Sequence, residues 1–123
     1  MSIPYKNLSN DLKNKLQNYN NLVRTLEFLT QQRFELERGL RDAELAIGEL
    51  DKTDSNKEVY KSIGGIMVKS ERDRLLDEKK SQKASIELKL KTITQREERT
   101  KTQLETLRIA LEKDFKDQGI SQS

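Results

Sequence analysis

The chain has 123 residues, which suits one domain spanning residues 1–123, and it is 37% charged but only 33% hydrophobic. Compact globular domains are nearly half apolar, so this composition excludes a thick rounded core and leaves either disorder or an extended helical structure. The formal net charge is +3, yet acidic and basic residues alternate, as in Arg96-Glu97-Glu98-Arg99, which is typical of a solvated helix face and not of the basic stripe that nucleic-acid binding requires.

The residue types that are missing exclude several classes of function. The sequence has no Cys and no His, which excludes disulfides and removes the commonest metal ligand and general base. No apolar run approaches the ~20 residues of a membrane span, and residues 1–5 contain no hydrophobic signal region. We therefore expect a cytoplasmic protein that is not an enzyme and has no cofactor, metal site, nucleic-acid partner or membrane contact.

The first half of the chain carries a heptad pattern. With Tyr5 at position a and Leu8 at position d, the alternating spacing of three and four continues for seven heptads to Leu50, and only Lys15 and Arg33 are polar among its fourteen positions. A repeat of 3.5 residues keeps an apolar seam in line along a supercoiling helix. The pattern predicts a first coiled-coil helix over about residues 5–50.

The pattern changes period in the middle of the chain. A polar run at residues 51–56 is followed by β-branched and aromatic residues on both sides of Gly64-Gly65. Two glycines can adopt the positive φ angles of a tight two-residue turn, so residues 57–70 are predicted to form a β-hairpin; a loop is the alternative. Ser70, with Asp73 three residues later, is predicted to cap the next helix.

A second, weaker seam predicts a coiled-coil helix over residues 71–117, followed by a flexible tail at 118–123. Polar residues interrupt this seam at Lys79, Lys83, Glu97 and Thr100, but long Lys stems can still cover apolar surface. Its apolar positions are Leu76, Ile86, Leu90, Ile93, Leu104, Leu107 and Leu111.

A hairpin reverses the chain, so the two helices should run antiparallel, with Leu50 beside Leu75 and both termini at one end. The predicted fold is therefore mainly α: a long antiparallel two-helix coiled coil with one central β-hairpin. Isolated hairpins are marginally stable and leave unpaired edges. We expect this hairpin to pair with those of other subunits into a shared sheet or barrel.

The free end of the coiled coil gathers a second apolar group. Fraying there would expose an interaction surface, although the same residues could simply close the coiled coil. The group comprises Ile3, Tyr5, Leu8, Leu12, Leu107, Leu111 and Phe115.

The central segment contains Val59-Tyr60-Lys61, a short spacer, Gly64 and the apolar strand Ile66-Met67-Val68. This pattern resembles the hairpin of prefoldin β-type subunits, and two long helices around a single hairpin match the β-type plan. Gly65 departs from the pattern, since this position often carries a larger residue, and leaves the turn type open. The absence of tails beyond the core favours an archaeal-type member.

The resemblance implies an ATP-independent holdase chaperone. Two α-type and four β-type subunits would form a hexamer on a β-barrel base, capture unfolded polypeptides at the coiled-coil tips and deliver them to a group II chaperonin. The apolar group at the free end would bind clients. The hairpin would provide the oligomerisation residues Val59, Tyr60, Ile63, Gly64, Gly65, Ile66 and Val68. The alternative function is a structural coiled-coil spacer or tether without client binding.

Overall fold

The computed structural model describes residues 9–119. In chain order they form α1 (Asn10–Asp51), β1 (Glu58–Ile63), β2 (Ile66–Glu71) and α2 (Arg72–Asp117). Two long helices around one antiparallel hairpin confirm the predicted fold class. The chain divides into two compact units, which we name the terminal unit (Met1–Gln32 with Ile93–Ser123) and the hairpin unit (Arg33–Thr92). That residues 1–123 make one domain stays a prediction.

The predicted heptad register is confirmed by the burial of the side chains. Every described seam position on both helices is buried or half-buried, including the polar ones. On α1 these are Leu12, Lys15, Tyr19, Leu22, Leu26, Leu29, Arg33, Leu36, Leu40, Ala43, Ile47 and Leu50; on α2 they are Leu76, Lys79, Lys83, Ile86, Leu90, Ile93, Glu97, Thr100, Leu104, Leu107 and Leu111.

In the terminal unit, the start of α1 packs on the end of α2. Leu12, which is fully buried, contacts Leu111, and four half-buried residues surround this pair: Leu16, Tyr19, Leu107 and Phe115. Further along α1, the Thr30 hydroxyl reaches Glu97. Residues further along α1 therefore contact residues nearer the start of α2. The two helices are antiparallel in this unit, as predicted.

In the hairpin unit, the end of α1 packs on the start of α2. Leu50, Leu75 and Leu76 form the buried cluster, with Ile47 and Val59 packed against it. The predicted pairing of Leu50 with Leu75 is confirmed. An ion pair of 3.8 Å between Glu44 and Lys83 continues the same antiparallel order.

Within the described residues, helix α1 begins at Asn10, and Ser9 caps it. The Leu12 backbone N–H donates to Ser9 Oγ at 3.1 Å, which satisfies one of the free donors of the first turn. Residues 5–8 lie outside the described residues. Ser9 itself is not helical. The heptad pattern, which was counted from Tyr5, did not show that this residue is a cap and not part of the helix.

Arg72 joins the end of α1 to the start of α2. Its Nε donates to the Leu50 carbonyl at 2.8 Å and its Nη2 approaches the Asp51 carbonyl at 3.5 Å, while Nη1 pairs with Asp73 at 2.8 Å. The last turn of α1 contains no basic residue of its own. Arg72 thus supplies, from the other helix, the cation that the free carbonyls and the negative end of the helix dipole favour.

The hairpin turn uses both of its glycines. Gly64 has φ of 53° and Gly65 of 85°, and positive φ at both central residues is the type I′ pattern that matches the twist of two paired strands. The predicted cap at Ser70 is wrong. Ser70 pairs with Val59 as part of β2, which continues to Glu71 before α2 begins at Arg72.

A buried polar layer crosses the seam of the terminal unit. Glu97 and Thr100 are 3% and 6% exposed. The Thr30 hydroxyl donates to Glu97 Oε2 at 3.0 Å, and the Thr100 hydroxyl donates to the Arg96 carbonyl at 2.8 Å. Hydrogen bonds offset much of the cost of burying these groups, so the layer is compatible with a continuous helix pair.

Replacing Arg72 by Met removes its hydrogen bonds to α1 and keeps an apolar stem. We expect the free energy of unfolding to fall by about 1–2 kcal/mol, because two helix-end carbonyls lose a charged donor. Urea denaturation of the full chain measures this. Arg74→Met, the same change at an exposed position of α2, is the control; equal losses in both variants would contradict a role for the Arg72 contacts.

Candidate functional site

The hairpin has one face toward the helices and one face toward solvent. Side chains alternate along a strand, and directly paired residues share a face. Val59, Lys61, Val68 and Ser70 are half-buried, and Val59 packs on the cluster around Leu50. The outer face is exposed throughout and consists of Glu58, Tyr60, Ser62, Met67, Lys69 and Glu71.

Four large apolar side chains of the hairpin are exposed. Tyr60, Ile63, Ile66 and Met67 are between 49% and 67% accessible. Met67 was missed as a candidate, although the alternation of the strand places it on the same face as Tyr60. Within the described residues each strand has a single strand neighbour, so the outer edges present unpaired backbone groups beside apolar side chains.

Charged groups on the outer face organise the position of Tyr60. The Tyr60 hydroxyl donates to Glu58 Oε2 at 2.9 Å, and Lys69 pairs with Glu58 at 2.9 Å. The hydrogen bond from Lys69, followed by that from Tyr60, lowers the pKa of Glu58, and the Glu58 carboxylate raises the pKa of Tyr60. The hydrogen bond to Glu58 orients the Tyr60 ring at the exposed face.

The apolar group predicted for the free end is partly a core. Leu12 and Leu111 are buried against each other, whereas Leu107 and Phe115 are half-buried at their side. Ile3, Tyr5 and Leu8 lie outside the described residues. Leu16 and Tyr19 belong to the same cluster and were missed; the seam pattern contained Tyr19, but nothing in it distinguished a residue at the end of the cluster from any other.

Polar contacts hold the two helices together around this cluster. Lys15 on α1 forms an ion pair with Asp114 on α2 and another, of 3.2 Å, with Asp11. The hydrogen bond that the Lys15 ammonium donates to Asp114, and then the one that it donates to Asp11, raises the pKa of Lys15 above its ordinary 10.5. Gln118 donates to the Ser9 hydroxyl at 3.2 Å. These contacts thus hold the ends of α1 and α2 together beside the cluster, whose outer members Leu107 and Phe115 stay half-buried.

Residues 9–119 contain no group of three or more acidic side chains placed to hold a metal ion. Neither described helix has a stretch that is apolar enough to cross a membrane.

Comparison with known proteins identifies the family. The sequence matches the model of the family described as "Prefoldin subunit" over residues 13–118. The chain belongs to the prefoldin family. It is 33% identical to prefoldin subunit beta of Pyrobaculum calidifontis over 85% of this chain and 82% of that protein, and 32% identical to prefoldin subunit beta of Methanothrix thermoacetophila over 81% and 83%. The predicted resemblance to β-type prefoldin subunits is confirmed.

A solved structure shares the fold. The crystal structure of the prefoldin beta subunit from Thermococcus strain KS-1 superposes with a TM-score of 0.75 at 21% identity, covering 87% of this chain and 94% of that one. Prefoldin subunits are chaperones, not enzymes, and they assemble with other prefoldin subunits. Family membership therefore implies a chaperone subunit that works within an assembly.

Asp114→Asn should lower the pKa of Lys15 toward 10.5, because it removes the carboxylate that contributes most to raising it. A pKa that is higher in the folded chain means that the ion pairs stabilise the fold fully below pH 10.5 and that this stabilisation is lost as pH rises through the folded pKa. NMR titration of the Lys15 side chain measures the shift. Asp117→Asn, at an exposed position of the same helix end, is the control, and a Lys15 pKa that Asp114→Asn leaves unchanged would contradict the assignment.

Proposed function

We propose that the chain is a β-type subunit of an ATP-independent holdase chaperone. Its hairpin joins α-type and other β-type subunits, in a hexamer of two α and four β, and its coiled-coil tip captures unfolded polypeptides. The assembly then delivers them to a group II chaperonin in the cytoplasm. The observation that carries the proposal is the exposed apolar surface of the hairpin beside unpaired strand edges.

The hairpin supports assembly because, in the single chain, its strand edges are unpaired and several of its apolar side chains are exposed. Two strands with a single half-buried apolar face bury too little to be stable without further packing. Tyr60, Ile63, Ile66 and Met67 are exposed in the single chain, and an edge lined by such residues is an aggregation hazard unless another strand covers it. Strands from neighbouring subunits would pair with both edges and bury these side chains. Val59 and Val68 would remain on the face toward the helices.

The terminal unit supports client capture through its partly open apolar cluster. Leu107 and Phe115 are half-buried, and Ile109 on α2 is 54% exposed. Leu12 and Leu111 reach a client only when the helix ends separate, and we propose that Ile3, Tyr5 and Leu8 extend the surface. Each contact would be weak, but several tips in one assembly raise the effective concentration and keep binding reversible.

Ile66→Glu should prevent assembly while the helices remain folded. Ile66 is 63% exposed in the single chain, so a carboxylate there is solvated before assembly but would be buried without a partner afterwards. Native mass spectrometry after co-expression with a prefoldin α-type subunit measures the outcome. Leu88→Glu, at a position of α2 that is 68% exposed, is the matched control. An assembly that survives Ile66→Glu would favour the tether function, in which the chain dimerises through its coiled coil and not through its hairpin.

Removing residues 1–8 and 112–123 should leave assembly intact and abolish suppression of aggregation. The truncation takes away Phe115 and the proposed extension of the client surface, but it does not touch the hairpin. Light scattering of a chemically denatured client protein, in the presence of the assembled complex, measures suppression. Suppression equal to that of the full-length complex would show that clients bind elsewhere.

A further inference from the structure

A shallow groove lies between α1 and α2 in the terminal unit. Its volume is about 370 Å³. Two half-buried leucines form its floor, and exposed polar side chains form its rim. The lining residues, which we name the amide groove, are Asn18, Asn21, Leu22, Thr25, Gln103 and Leu107.

The amide groove lies in an uncharged part of an otherwise highly charged chain. Residues 16–23 contain no charged side chain, although 37% of the whole sequence is charged. On α2, the two charges beside Leu107 neutralise each other, since Glu105 and Arg108 form an ion pair of 2.6 Å. Most solvated helix positions elsewhere in this chain carry Lys, Arg, Glu or Asp, with single amides among them. The rim of the groove differs because its exposed amides lie together without a charged side chain between Leu16 and Val23.

Helix stability does not explain the asparagines. Asn is a poor residue for a helix interior, because its side chain competes for backbone hydrogen bonds. Asn18 and Asn21 nevertheless lie well inside α1. Within the described residues, their side chains and that of Gln103 take part in no hydrogen bond. Three exposed amide groups thus lie at the rim of the groove without a partner among the described side chains, so a ligand has only to replace water there.

The chemistry of the rim and floor suits one kind of ligand. An amide side chain offers two N–H donors and a carbonyl acceptor, the same groups that a peptide unit pairs with. A folded protein pairs nearly all of its buried backbone groups, whereas an extended unfolded segment leaves them free and alternates its side chains. Leu22 and Leu107 offer apolar contact to alternate side chains of such a segment. An uncharged rim does not select among client charges.

We propose that the amide groove binds a short extended stretch of main chain of an unfolded polypeptide. Asn18, Asn21 and Gln103 hydrogen-bond its peptide groups, while Leu22 and Leu107 contact its apolar side chains. The proposal rests on the function proposed above, since it names the part of the client that the terminal unit recognises. Binding through the main chain does not depend on the amino-acid sequence of the client. It does require that the backbone N–H groups of the bound segment are free to donate hydrogen bonds.

The test compares two forms of one peptide. A short, uncharged, fluorescently labelled apolar peptide is prepared with ordinary peptide bonds and with alternate backbone nitrogens methylated, and its Kd for the assembled complex is measured by anisotropy. The variant Asn18→Ala/Asn21→Ala/Gln103→Ala removes the rim amides, and Ala raises helix propensity, so the fold is kept. We expect the variant to bind the ordinary peptide about tenfold more weakly, because several net hydrogen bonds are lost. It should bind the methylated peptide as the unaltered complex does.

The matched control is Gln31→Ala/Gln82→Ala/Gln95→Ala, which removes three exposed amides of the same helices outside the groove and should leave both Kd values unchanged. Equal binding of the ordinary peptide by the groove variant and the unaltered complex would overturn the proposal and leave the holdase function standing. A changed oligomeric mass with unchanged peptide binding would also overturn it, because a second copy would then be the occupant. Failure of the unaltered complex to bind either peptide or to suppress aggregation would overturn both proposals.

Discussion

The described structure depends on the narrow apolar seam between its two helices. All eight of its buried hydrophobic side chains lie on α1 or α2, and none lies on the hairpin. Full burial of one such Leu contributes about 1.5–3 kcal/mol, and ordering each residue costs a comparable amount. Two helices cannot also enclose what lies off the seam, so Phe28 and Leu45 stay exposed. The hairpin, with Val59 only half-buried, depends on this helix pair and on whatever covers its other face.

Much of the fold followed from the sequence because local patterns and long-range packing agree. A strict seven-residue repeat favours a coiled-coil seam, and a shift to period two around Gly64-Gly65 favours a hairpin with a tight turn over a loop. The positive φ of both glycines also settled the turn type that the extra glycine had left open. Polar seam residues were placed correctly by register alone, since the period outweighs the cost of an individual Lys or Glu.

The features that sequence reasoning missed are tertiary contacts or competitions between neighbouring signals. Arg72 meets the Leu50 carbonyl from 22 residues away, which no local pattern records. Ser70 has a good capping side chain, but ladder pairing with Val59 held it in the strand. Periodicity also counted Leu12 and Leu111 as tip residues without showing that they bury each other. The groove rim escaped notice because exposed amides carry no period.

The buried polar layer has a consequence for how the chain finds its alignment. Two helices with long heptad repeats can pair in a register shifted by seven residues, because apolar seam positions still face apolar seam positions. Such misaligned pairs can act as kinetic traps during folding. A slip of seven residues along α1 would place Glu97 opposite either Glu37 or Val23 instead of Thr30. The first brings together like charges and the second buries a carboxylate beside a hydrocarbon, so both misalignments are penalised. Glu97 thus favours the native register, because both one-heptad slips would leave it in an unfavourable environment.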